Sequence, residues 1–427
     1  MSSIDTGAET GAEASTPTPP PLRRNRDFTL LWTGAGISLL GGRVAAIAYP
    51  LLMVWHNGST VGAGMVAFAA LLPVLVCQLP AGVVVDRWDR RRTMILCDLV
   101  GFLAMGSVGL TLIMGRLWLP HLMVAAFVEG TAAIIYRLSE RAAVRNVVHP
   151  DHLLGAMSQN EARGRAAGLL GQPLGSALFA LVRWAPFVFT AVGHVVALGT
   201  LLLIRKDFQE ERPATRRRLR AELAEGFTWL MAQRFLRTAL VLIAVTNLLF
   251  QVLALSLVVI IQRSGGSPVL VGVIGAVSGV GGVVGSLCGS WVVRRVRVST
   301  IVLATFCVWA VCMPMIALTA HPVLLGGLFA GMTFAGALMN VTAGVYQVRV
   351  TPDEIQGRVG SVAMLLASGA NSLGALAAGF LLDRHGPTWT VLGVGAVMLA
   401  TTVVAMLIPA MRAANELAGN SRGSEEI

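Results

Sequence analysis

The stretch GVVVDRWDRRR, residues 82–92, sets two Asp and four Arg between two apolar runs, LLPVLVCQLPA before it and TMILCDLVGFLAMGSVGL after it. Charge this dense between greasy segments marks a tight polar turn at a bilayer edge and makes the flanking runs antiparallel neighbours. The whole chain fits that frame. Its 427 residues are 55% hydrophobic and 13% charged, with a mean hydropathy of +0.72, whereas soluble domains carry about 25% charged residues. One soluble core cannot hide that much apolar surface.

Apolar runs fall at 28–55, 62–85, 93–115, 117–136, 153–182, 185–205, 237–261, 269–293, 299–320, 322–345, 359–382 and 388–409. Each is near the roughly 20 residues needed to cross about 30 Å of hydrocarbon at about 1.5 Å per residue. The expected fold is therefore all-α and integral to a membrane, with twelve transmembrane helices. The net charge of +11 would suggest nucleic acid in a soluble protein. Here the Arg sit in clusters beside apolar runs and read as membrane orientation, with no nucleic-acid partner.

Alternate connections differ sharply in Arg. One set holds Arg23, Arg24 and Arg26, then Arg87, Arg90, Arg91 and Arg92, then Arg137, Arg141 and Arg145, then the 205–237 segment, Arg294, Arg295, Arg297, Arg349, Arg358 and Arg412. The other holds at most one each: Arg116, Arg183, Arg263 and Arg384. The bias puts both termini in the cytoplasm, which requires an even number of spans. The N-terminal residues MSSIDTGAETGAEASTPTPPPLRRNRD read as a disordered tail without the pattern of a signal peptide. The five Cys lie in apolar runs with no metal-ligand spacing and read as buried small hydrophobes. No metal site, organic cofactor, nucleotide-binding loop or hydrolase motif is present, so no enzyme is expected.

The chain also repeats itself. RNVVHPDHLLGAMS (145–158) matches QVRVTPDEIQGRVG (347–360), each with Pro-Asp and a Gly four residues after the Asp, at a spacing of 202 positions. GQPLGSAL (171–178) and NSLGALAA (371–378) follow, and Gly82 pairs with Gly289. Parallel duplication of this kind points to a transporter with its site between two halves near the midplane.

At this point a family resemblance appears. Gly82, Asp86, Arg87, Arg90, Arg91 and Arg92 resemble the cytoplasmic signature of the major facilitator superfamily between its second and third helices. DRWDRRR is similar to the drug–proton antiporter branch that includes macrolide and siderophore (enterobactin-type) exporters. AELAEGFTWLMAQRFLRTALVL (221–242) resembles that branch's amphipathic linker helix, and NVTAGVYQVRVTPDEIQGRVGS (340–361) its loop between spans ten and eleven. GQPLGS (171–176) resembles its antiporter motif, with Gln172 and Ser176 as departures. Gly42 stands where the branch often has an Asp in span one, with Ala48 and Pro50 matching.

The resemblance implies a cytoplasmic tail (1–26), an N-terminal six-helix half (27–205), a linker with an amphipathic helix (206–236), a C-terminal six-helix half (237–410) and a second tail (411–427). It implies a monomer in a bacterial cytoplasmic (inner) membrane, surrounded by lipid. Such a protein exports small amphipathic molecules (antibiotic, drug or siderophore) by proton-coupled alternating access, the proton gradient being the energy source. An importer of the same fold and a non-transporting sensor or partner are the alternatives.

Arg43 in span one and Glu129 in span four are ionisable residues deep in the bilayer, where a charge costs at least about 2.5–3.5 kcal/mol. Both lie about 17 Å below the outer face at 1.5 Å per residue, and because the resemblance implies that spans one, four, seven and ten line the cavity, they are expected to face each other across it. Two roles are open for Glu129: a titrating group or contact for a cationic substrate, and half of a permanent ion pair. Asp98 is expected to pair with a loop Arg, with a gate contact as the alternative, Glu161 to pair with Arg165 at i,i+4, and His194 to hold a hydrogen-bonded packing position or carry protons. Asn247, Gln251 and Asn340 are polar candidates for the cavity wall or for interhelical bonds.

For gating, Gly82 lies one turn before Asp86 and suggests close packing there. Asp86 would latch the halves at the N-terminus of span eleven, with Arg358, while the Arg orient the loop. Asp86→Asn should lower transport several-fold at unchanged membrane abundance; wild-type transport would remove the latch.

Overall fold

The computed structural model describes residues 21–208, 219–351 and 355–408. The terminal tails, residues 209–218 of the linker and the Pro352-Asp353 end of the repeat lie outside the described residues. Among the described residues there are helices and no strands. They are α1 (Arg26–Asn57), α2 (Thr60–Val76), α3 (Gln78–Arg87), α4 (Arg90–Ile113), α5 (Leu119–Val147), α6 (Leu153–Leu181), α7 (Ala185–Leu203), α8 (Leu219–Ala232), α9 (Arg234–Arg263), α10 (Pro268–Val293), α11 (Val298–Met315), α12 (Pro322–Val350) and α13 (Gln356–Leu407).

The charged turn at the head of the sequence is built from local chemistry. α3 ends at Arg87, and Asp89 is the N-cap of α4, its Oδ1 accepting the Arg92 N–H at 2.7 Å. An N-cap carboxylate satisfies an orphan donor and meets the positive end of the helix dipole. Of the two acids in this stretch, then, Asp89 starts a helix. Arg91 Nη2 donates to Leu201 O at 3.0 Å and Leu202 O at 3.3 Å, which satisfies carbonyls at the end of α7. Arg90 Nη1 donates to Ala142 O at 3.2 Å and Phe208 O at 3.1 Å. Arg91 thus caps the end of α7, and Arg90 ties α5 to the segment after α7.

Among the described residues, nine helices are long and apolar enough to cross a membrane, or ten if α2 and α3 form one broken span. That pair bends by 55° at Cys77. Pro80 explains the break: its ring clashes with the carbonyl four residues back, that of Val76, and it offers no N–H. α13 holds two crossing lengths, divided at Gly386 (φ 73°) with Pro387 behind it. α6 has the length of a span but carries Glu161, Arg163 and Arg165. Counting α6 and both parts of α13, the described helices accommodate the twelve crossings expected.

α1 packs on α6 and α7, α4 on α5 and α7, and α2 on α5; a second set joins α9, α10, α11, α12 and α13, with α8 lying on α13 and α9. The sets meet along two seams, α2 against α13 and α6 against α10. Both seams are tightest toward the Arg-poor end. A Cβ on Gly64 would stand 2.8 Å from Ala375 O and from Gly379 Cα, and Thr60 Oγ1 lies 3.5 Å from Asp383 Oδ1. On the other seam Gly272 and Gly275 of α10 leave room for Ser176 and Gln172 of α6. The two departures from the antiporter pattern are thus matched by glycines across the seam.

At the Arg-rich end the arrangement differs. Asp86 is exposed, and Arg358 pairs with Glu225 of α8. Gly82 corrects an expectation: nothing lies within 4 Å of a Cβ placed there, because the bend at Cys77 redirects α3. The tight glycine contacts between the sets thus lie toward the Arg-poor end, while at the Arg-rich end Asp86 and Arg358 each face residues of their own set. Gly379→Leu should lower the Tm in detergent, overpacking costing about 1–3 kcal/mol. Gly393→Leu, with nothing within 4 Å, should leave it unchanged. Equal melting of both variants would refute the seam.

Candidate functional site: a buried carboxylate–imidazole–carboxylate cluster

Four helices converge on one polar cluster. His194 of α7 stands between Asp98 of α4 and Glu129 of α5, with Ser38 of α1 beside it. The Nδ1 atom lies 2.9 Å from Asp98 Oδ1, and Nε2 lies 3.2 Å from Glu129 Oε1. Ser38 Oγ donates to Asp98 Oδ1 at 3.3 Å and stands 3.3 Å from the same ring nitrogen. Asp98, Glu129 and His194 are 1%, 6% and 5% exposed, so the three titratable groups are screened from water and must satisfy one another.

Small residues make the room. Gly101 lies one turn after Asp98 on α4, and a Cβ there would meet His194 Nε2 at 2.5 Å and Glu129 Oε2 at 2.9 Å. From α1, a Cβ on Gly42 would stand 3.7 Å from Glu129 Oε1. The position where the resembling branch often carries an Asp thus borders a carboxylate that reaches in from α5 instead.

Both ring nitrogens face a carboxylate oxygen. A neutral imidazole has one N–H, so filling both contacts takes either an imidazolium or a proton on one acid. Asp98 Oδ2 and Glu129 Oε2 are buried with no protein hydrogen-bond partner. With both acids ionised and the ring protonated, the cluster carries one net negative charge; one more proton makes it neutral. Chemically, a cluster of this composition can hold or release one proton.

This placement corrects two expectations. Arg43 does not face Glu129. Gly42 does, and successive residues turn by about 100° around a helix, so Arg43 points elsewhere, its Cβ against Gly171 of α6. Asp98 binds His194, not a loop Arg, because it lies on the α4 face toward α7. His194 is hydrogen-bonded as expected, but to two acids. Its place between them was missed in the sequence, where Asp98, Glu129 and His194 are far apart and each looks solitary.

A second buried pair, also unforeseen, joins Glu140 of α5 to Arg163 of α6 at 2.6 Å. Arg163 Nη1 donates to Trp32 O at 3.0 Å, and the guanidinium lies over the Trp32 ring. Its partners tie α1, α5 and α6 together. Glu161 and Arg165 form the expected i,i+4 pair at 3.2 Å.

Between the two helix sets lies a cavity of about 810 Å³, lined on one side by Arg165 and Leu169 and on the other by Asn247, Phe250, Trp309 and Asn340. Asn340 is exposed to it, and Asn247 Nδ2 donates to Ala367 O at 2.8 Å. Gln251 is not on this lining: its Cβ packs near Gly374 of α13. A separate pocket at the Arg-rich end holds Asp86 with Arg90, Arg141, Arg145 and Asn146, while Arg87 is exposed.

The sequence profile of the Major Facilitator Superfamily matches residues 31–375. The chain belongs to the major facilitator superfamily. Among relatives, it is 27% identical over 398 residues to a multidrug efflux pump, Tap, of Mycolicibacterium fortuitum, covering 90% of this chain and 95% of that one. It is 24% identical over 183 residues to macrolide efflux protein A of Streptococcus pyogenes, covering 42% and 44%. The nucleoside transporter NupG shares the fold at a TM-score of 0.73 and 11% identity, with 89% and 98% covered. So does an inward-facing, unoccupied bacterial homologue of the lysosomal transporter Spinster, at a TM-score of 0.68 and 15% identity, with 92% and 98% covered. As a superfamily member the chain is a multi-pass membrane protein whose substrates are small molecules.

Removing the imidazole strands two acids in a dry site. His194→Leu should destabilise this superfamily member by about 3–5 kcal/mol, read as a lower Tm in detergent. Wild-type melting would show that the cluster is not a closed unit.

Proposed function

We propose that the chain is a proton-driven exporter of small amphipathic molecules, working from a bacterial cytoplasmic membrane. The observation that carries this reading is the Asp98–His194–Glu129 cluster. It joins three helices of one set, with Ser38 of α1 at its edge, and all three side chains are buried. A proton on it exchanges with water only when the helices move, as a coupled carrier requires.

The names of the relatives support export as the direction, and the Arg bias supports a cytoplasmic Arg-rich end. On this reading substrate enters the central cavity from the cytoplasm or inner leaflet. Closing of the Arg-rich end then brings Asp86 to the start of α13, where Arg358 exchanges Glu225 for it. Opening at the far side releases substrate and admits a proton to the cluster; reopening inward delivers the proton to the cytoplasm.

In an efflux-deficient bacterium, the wild-type chain should lower accumulation of substrates from a panel of dyes and antibiotics, and an uncoupler should reverse this. Glu129→Gln should remove the uncoupler-sensitive export by about tenfold or more while leaving downhill exchange in proteoliposomes. Uncoupler-sensitive export that survives in Glu129→Gln would refute the coupling role.

A further inference from the structure

The connections at the Arg-poor end hold four Arg, and two of them meet. Arg116 of the α4–α5 connection and Arg183 of the α6–α7 connection line one pocket of about 610 Å³, with His56 from the last turn of α1. Orientation does not explain them. The bias that orients a membrane protein gathers Arg at the opposite end, so these two need a local reason. No acid supplies it. The pocket lining has neither Asp nor Glu, and Asp383, the acid of the connections at this end, faces Thr60 instead.

The bond inside the cluster leaves it able to bind. Arg183 Nη1 donates to His56 Nδ1. A guanidinium only donates, so Nδ1 is the acceptor and the ring is neutral, with its proton on Nε2. This contact orients the Arg183 fork and occupies one of its five N–H donors. Arg116 donates its backbone N–H to Thr111 O at 2.9 Å, and its side chain has no hydrogen-bond or ion-pair partner among the described residues. Across the pocket Ser267, the N-cap of α10, adds a hydroxyl that makes no cap bond. The cluster is rich in donors and poor in acceptors. Phosphate oxygens are its complement, and guanidinium forks bind them in pairs.

The remaining walls say what carries the phosphate. Leu181 and Val182 line the same pocket and are 77% and 42% exposed. Trp55 and Trp184, both partly exposed, complete it, and Trp favours the boundary between bilayer and water. Donors and apolar surface thus stand side by side near the ends of spanning helices. A free phosphate ion would leave the apolar part unused, whereas a phospholipid joins phosphate to acyl chain. A zwitterionic headgroup would bring an ammonium that finds no acid on this lining; an anionic headgroup brings none.

We infer that this pocket binds an anionic phospholipid from the leaflet at the Arg-poor end, its phosphate between Arg116 and Arg183 and its chains over Leu181 and Val182. The pocket shares no lining residue with the central cavity, and the inference is independent of the direction of transport. Arg183 follows α6, while Ser267 and Pro268 start α10. The bound lipid therefore touches both helix sets and steadies the α6–α10 seam.

The test uses the full-length protein in detergent micelles. Binding of phosphatidylglycerol with a fluorescent acyl chain is compared with that of phosphatidylcholine carrying the same chain. The proteins are wild type, Arg116→Gln, Arg183→Gln, Arg183→Lys and, as a control from the same end outside the pocket, Arg263→Gln. The wild type should bind phosphatidylglycerol at least about fivefold more tightly than phosphatidylcholine. Each Gln variant of the pocket should lose about fivefold or more of that affinity. Arg183→Lys should keep part of it, and Arg263→Gln all of it. Inorganic phosphate at the lipid's concentration should not displace the lipid. Equal affinity of the wild type for the two lipids, wild-type binding in either Gln variant of the pocket, an equal loss in Arg263→Gln, or displacement by inorganic phosphate would each overturn the inference. The comparison of lipids on the wild type requires no variant to fold.

Discussion

Two carboxylates and an imidazole in a site shut off from water have only one another to satisfy them. That requirement orients α4, α5 and α7 about their axes, because Asp98, Glu129 and His194 must each point inward at one level. Gly101 belongs to the same arrangement, since any side chain there would occupy the ring's place. A site this dry tolerates one charge state well. Changing its proton count changes the cost of keeping it dry, which links a chemical event to the packing of four helices.

Movement requires a second feature, seams that hold mainly by close packing. The close approaches between helix sets at the Arg-poor end rest on glycine, with Gly64 and Gly379 on one seam and Gly272 and Gly275 on the other. Backbone contact of this sort has little directional preference, so a small rotation separates it at little polar cost, the Thr60–Asp383 contact being the main polar link on the α2–α13 seam. The charged contacts Arg90, Arg91 and Arg163 all lie within one set. Each set is thereby held as a unit, and the interface between sets is left smooth. The bend at Cys77 turns the lower part of the second span by 55°, with Gln78 still bonded to Met364 of α13.

Much of this was legible in the chain. Hydropathy and the Arg alternation found the crossings, and the DRWDRRR turn marked the second connection. The N-cap role of Asp89 was also readable, an acid directly before a helix start, but it was masked by the charges around it. Pro80 carried a signal for the broken second span that the continuous apolar run concealed. The cluster was not readable. Asp98, Glu129 and His194 each look solitary, and Glu129 seemed best matched to Arg43 because the two lie at similar depth. Depth follows from counting residues; facing does not, and one residue of rotation separates Gly42, which meets Glu129, from Arg43, which does not.

By itself, then, the sequence determined what acts on one segment at a time: which stretches enter the bilayer, where turns fall, and which end collects Arg. Length, apolarity and charge are sums along the chain, so they survive without coordinates. The tertiary structure alone decided which side chains meet. Partners such as Asp98 and His194 come together through helix rotation and packing, and a shift of about 100° per residue converts a pair into strangers. The buried carboxylate–imidazole cluster and the glycine seams are both consequences of those rotations.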